Sequence, residues 1–100
     1  MVAKSDILTA ARAIEEELGK LTIQNTSAKV HVFETDWGHL RALVGSDGFK
    51  GLPLGDRQRI VRDFLRKHVP AEHLVHLIAV HPMDLEEYDR NVQKAWTDPG

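Results

Sequence analysis

Six histidines and no cysteine define the chemistry open to this chain of 100 residues. Histidine is a common metal ligand and titrates near neutral pH, whereas a self-contained thiolate centre is excluded in a chain without thiols. No two histidines fall at the i, i+4 spacing of a metalloprotease helix. His76 stands apart because it lies inside the apolar run Leu74-Val75-His76-Leu77-Ile78-Ala79-Val80. A histidine in such a run is either a core residue satisfied by one hydrogen bond or a ligand offered outward, and the residues alone leave both readings open. His76 and His81 are an odd number of positions apart, so a regular strand would point them to opposite faces. His81, just before Pro82, reads as a surface or cap residue. His39 approaches His76 only if a hairpin pairs suitably, and His31, His68 and His73 read as incidental.

A second set of chemistry-bearing residues is basic. Arg57, Arg59, Arg62, Arg66 and Lys67, with Lys50 ahead of them, face only Asp56 and Asp63. Such a helix face is ordinarily solvated; the alternative is contact with phosphates, as made by the second helix of a helix-turn-helix. The preceding Gly51-Leu52-Pro53-Leu54-Gly55 is similar to the GxxG loop of KH modules but one residue off in spacing, and Pro53 removes an amide. On a chain of net charge −2 this predicts weak, salt-sensitive nucleic-acid binding at most. Trp37, expected at a hairpin tip, either meets a partner or folds back over the sheet. Enzyme signatures are absent: no phosphate-binding glycine motif and no nucleophile elbow are found, and Asp36 and Asp47 read as turn residues.

These residues need elements to hold them. Ser5 and Asp6 start a predicted helix whose Ile7, Ala11, Ile14 and Leu18 share one face until Gly19. Residues 24–27 form a polar connection. Val30 and Val32 alternate with His31 and Phe33, Thr35-Asp36-Trp37-Gly38 carries turn chemistry, and 40–44 alternates again, so a β-hairpin is predicted. The stretch 49–55 is too rich in glycine and proline for a regular element, yet Phe49, Leu52 and Leu54 are expected to plug into the core. Asp56 is the predicted cap of a helix with Ile60, Val61, Phe64, Leu65 and His68 on one face, ended by Val69-Pro70. The run from Leu74 predicts a strand covered on both sides or central in its sheet, followed by a helix capped by Asp84 with Glu87 three residues on.

The order α-β-β-(turn)-α-β-α predicts one small α+β domain over 1–100, its core about 5–90 and 97–100 frayed, with a three-stranded mixed sheet and helices on one face. The apolar share of 42% is that of an ordinary globular chain. No opening signal segment and no run of membrane-spanning length is read, which predicts a cytoplasmic protein.

Phe49-x-Gly51, Arg57-x-Arg59-x-Val61 with Leu65, Val75-His76-x-Ile78-x-Val80, and Asp84-x-x-Glu87-Tyr88 together resemble the BolA family's F-x-G, R-H-R-x-V, x-H-A-L and T-x-x-E-W pattern, over roughly residues 28–88. The resemblance implies a KH-like fold and a non-catalytic role in complex with a monothiol glutaredoxin, in iron–sulfur handling or iron-status signalling. It implies His76 as a contact to that partner or to a [2Fe-2S] cluster shared with it. An imidazole suits such a shared site, as histidines ligate one iron of a Rieske centre while thiolates hold the rest. The family's second ligand comes from a long loop between the first two strands; here 34–38 leaves a tight turn, with His39 the nearest candidate. Gln58 and Tyr88 replace the usual histidine and tryptophan. The alternatives are a nucleic-acid-binding transcriptional regulator using helix 57–67 and a divergent adaptor without cluster binding.

Overall fold

The computed structural model describes residues 4–35 and 38–97, with side chains for 6–35 and 38–93. Asp36 and Trp37, at the expected hairpin tip, and the tail 98–100 lie outside the described residues.

Helix α1 (Lys4–Leu18) forms where its apolar residues repeat at helical spacing, and Ile7, Ala10, Ile14 and Leu18 are all buried. Burying an isoleucine or leucine side chain contributes about 1.5–3 kcal/mol. The helix ends as the Gly19 N–H donates to the Glu15 carbonyl (3.0 Å). Residues 24–27 are not a plain connection: β1 (Thr22–Ile23) and β2 (Thr26–Ser27) pair antiparallel in a minimal hairpin. Gln24 and Asn25 both take positive φ, 51° and 63°, the conformation that matches the twist of a two-residue hairpin.

The main sheet has the order β3-β4-β5, with β3 (Lys29–Glu34) antiparallel to β4 (Leu40–Gly45) and β4 parallel to β5 (Leu77–Met83). Gly38, at φ 77°, makes the reversal between β3 and β4, and a side chain there would also press on Ile7. The buried middle strand is β4; the apolar run from Leu74 does not supply it. That run divides. Pro70 precedes a single helical turn, α3 (Ala71–Leu74), Val75 and His76 form a turn, and β5 lies at the sheet edge with Ile78 exposed. A proline start followed by Ala-Glu satisfies the first turn of a helix, which takes Leu74 out of the strand.

Between β4 and β5, Ser46 and the 3-10 turn Asp47–Phe49 close the central strand, the Ser46 hydroxyl accepting from the Gly48 N–H (3.1 Å). Phe49 is fully buried and Leu52 packs against the core, but Leu54 stays 62% exposed instead of joining them. The reason is that α2 (Leu54–His68) begins at Leu54, before Asp56, which sits in the first turn and pairs with Arg59 at 3.7 Å. An acidic residue there still complements the helix dipole. Helix α4 (Leu85–Thr97) starts as expected, the Glu87 N–H donating to Asp84 Oδ1 (2.9 Å). That bond is the main cause holding the Asp84 carboxyl below its ordinary range.

Alternation along β4 sorts the core into two layers. Leu40, Ala42 and Val44 face α1 and α2 in the larger cluster, with Phe49, Val61, Leu65 and Val80. Leu43 points the other way, to Met83 and Tyr88, with Phe33 and Val92 against them. Helices therefore cover both faces, a correction to the single helical layer expected from the sequence: Tyr88 and Val92 give α4 its own apolar stripe, which needs the second face. Among the described residues no helix is long and apolar enough to cross a membrane.

Candidate functional site

His76 is set by its neighbours in the chain. It occupies the turn between α3 and β5, its N–H donating to the His73 carbonyl (3.2 Å) and its carbonyl accepting from the Leu40 N–H (2.7 Å). It is therefore not inside the strand, as the apolar run suggested, but one residue ahead of it. The second of these bonds joins the two strand starts: Leu40 pairs with Leu77, so His39 and His76 come to the same end of the parallel pair. The His39 carbonyl accepts from the Thr35 N–H (2.7 Å) and hydroxyl (3.2 Å). Its side chain is exposed; His76 is half-buried. Among the described residues neither imidazole has a hydrogen-bond partner, and His76 is not sealed among aliphatic side chains.

His81 departs from the expected surface or cap role. It lies on the α4 side of the sheet beside Leu43, with Arg41 Nη1 3.3 Å from its Nε2. Burial, and then the Arg41 charge, push its pKa below 6.5. Strand parity does not decide its relation to His76, because His76 precedes the strand and the register shifts between Leu40 and Arg41. Of the other histidines, His31 stacks on Phe33 and His68 lies tilted against Phe64, with centroids 5.5 and 4.3 Å apart. His73 serves the fold by its carbonyl.

The basic face is partly committed elsewhere. Arg57 Nε donates to the Leu52 carbonyl (2.9 Å), and its guanidinium lies 6.0 Å from the Phe49 ring, clamping the 49–53 loop. Lys50, Arg59 and Arg66 pair with Asp47, Asp56 and Asp63 at 3.5, 3.7 and 3.9 Å. Arg57, Arg62 and Lys67 have no acidic partner among the described residues, and of these only Arg57 has another side-chain contact. Gln58 turns inward, its Nε2 donating to the Val80 carbonyl (2.8 Å) while Oε1 is buried without a partner. Sequence reasoning marks Gln58 only as a replacement for a histidine and assigns no role to Arg41. Arg41, a cation inside an apolar strand, was the signal for a buried partner.

Among the described residues no three of His, Cys, Asp or Glu converge on one point. An iron–sulfur cluster needs thiolates, and the chain has none. Two imidazoles at the strand starts therefore do not make a whole cluster site.

Comparison with known proteins follows this geometry. A crystal structure of a Bol-like protein from Babesia bovis is similar to the chain at 22% identity and a TM-score of 0.38, covering 92% of this chain and 95% of that one. No curated protein matches. The family model described as BolA-like protein matches residues 13–87, a span that contains α2, β5, His39, His76 and the Asp84 cap. The chain belongs to the BolA-like family.

Proposed function

We propose that the protein is a non-catalytic binding partner of a monothiol glutaredoxin, acting in iron–sulfur cluster handling or iron-status signalling. The observation that carries this reading is the Leu40 N–H bond to the His76 carbonyl, which brings His39 and His76, whose imidazoles have no hydrogen-bond partner among the described residues, to one end of the sheet. His76 is the central residue, with His39 as its helper. Held between them and the partner's thiolates, a [2Fe-2S] cluster would supply iron and sulfide to be passed on or sensed.

The test mixes the full chain with glutathione-loaded monothiol glutaredoxin and follows visible circular dichroism. The expected result is a change in the cluster bands that is lost in His76→Ala and reduced in His39→Ala. Unchanged bands for the wild type, or the same change in His76→Ala, would refute the shared site. Complex formation without band changes would favour an adaptor role.

A further inference from the structure

Between α2 and the outer side of β5 lies a cleft of about 160 Å³, lined by Leu65, Leu74, Leu77 and Val80 together with Arg62 and Arg66. Arg62 and Arg66 stand one helical turn apart on the same side of α2. The pair of Arg66 with Asp63 spans 3.9 Å between exposed side chains and contributes little; Arg62 has no acidic partner among the described residues. Val75 and Ile78, adjacent in the chain to lining residues, are 73% and 46% exposed. An apolar floor beside two cations suits a ligand that is aliphatic at its tip and anionic around it.

Two kinds of occupant are disfavoured. A nucleic acid would want aromatic platforms for its bases and a continuous basic track, but the cleft lining holds no aromatic residue and Arg57 is bound to the 49–53 loop. A peptide adding as a strand would want the outer edge of β5. There the Val80 carbonyl already accepts from Gln58. The Met83 carbonyl accepts from the Ser46 N–H on the β4 side, so by alternation Pro82, which has no N–H, faces outward. What remains is recognition by side chains.

We propose that this cleft docks an acidic segment of a partner protein, with one aliphatic side chain seated on Leu65, Leu74, Leu77 and Val80 and flanking carboxylates held by Arg62 and Arg66. The proposal rests on the reading of the chain as a binding protein, but it needs no cluster and uses neither His39 nor His76, so the two fail separately.

The experiment titrates an end-blocked peptide, one leucine between two pairs of glutamates, into the full ¹⁵N-labelled chain. Amide shifts confined to 62–66 and 74–80 are expected, with affinity falling about tenfold in Arg62→Glu and falling again as salt is raised. Leu77→Ala, which strips an aliphatic side chain from the cleft floor without altering charge, is expected to weaken binding while the spectrum stays folded. The proposal is overturned by an absence of shifts at millimolar peptide, or by folded variants that bind like the wild type. Equal binding of a peptide with serine in place of leucine overturns it too, as does displacement of the peptide by a single-stranded oligonucleotide.

Discussion

Arg41 Nη1 sits 3.3 Å from His81 Nε2 across neighbouring strands, so a cation inside the sheet is satisfied by an imidazole that must stay neutral to accept from it. Burial first, and the guanidinium second, depress the His81 pKa below 6.5. Because the folded value lies below the unfolded one, the contribution of His81 is complete above pH 6.5 and is lost as pH falls through the depressed value. Urea midpoints measured between pH 5 and 8 are expected to rise with pH. The rise shrinks in Arg41→Gln, where burial still acts, and shrinks further in His81→Gln. An identical slope in His81→Gln would remove His81 as a source of the pH dependence.

Gly45, the last residue of β4, lies against Tyr88 of α4 so closely that a Cβ on it would collide with the tyrosine's own Cβ and ring. The smaller core layer closes through this contact. Gly45→Ala is expected to cost about 1–3 kcal/mol, as overpacking does. The loss is expected to fall by half or more in Gly45→Ala/Tyr88→Ala compared with Tyr88→Ala alone, a double-mutant cycle read by chemical denaturation.

Arg57 and Arg59 look alike in the sequence and differ in the fold. Arg57→Ala loses a hydrogen bond to the Leu52 carbonyl and a contact with the Phe49 ring, and is expected to cost about 1–2 kcal/mol with little dependence on salt. Arg59→Ala removes only an exposed pair with Asp56 and is expected to change stability by less than about 0.5 kcal/mol. Melting both variants at low and high salt distinguishes them.

Gln58, half-buried with its Oε1 shielded from solvent, donates to the Val80 carbonyl. Gln58→Glu sets a carboxylate against that carbonyl, and at neutral pH is expected to cost about 1–3 kcal/mol. Protonation restores a donor, so this variant should recover relative to wild type as pH falls from 7 to 5. Wild-type stability at pH 7 would show that the amide bond is not worth its burial.

Periodicity made much of this fold readable. Ile7, Ile14 and Leu18 at helical spacing, and Val30 and Val32 at strand spacing, signal their faces because each element buries one side. The Asp84 cap was readable because its partner amide lies three residues away. What failed to show was non-local. The run from Leu74 has a strand's composition, yet which strand becomes central depends on pairing with residues far along the chain. Leu54 looks like core until the start of α2 is known. Of the site, His76 and His39 were named from residue type and the family resemblance, but their common end of the sheet follows only from the parallel register. The α2–β5 cleft has no sequence signature, since its walls come from three separate elements.

The parallel join of β4 and β5 also dictates an order of events in folding. β4 meets β3 through a short reversal, a cheap loop to close, whereas β5 returns only after all of α2 and α3. By loop length the hairpin side is expected to close early and the far side late, in a slower final step. While the chain is being synthesised, β4 keeps one border bare until residues 77–83 have emerged, and that interval is when misassembly with other chains is easiest.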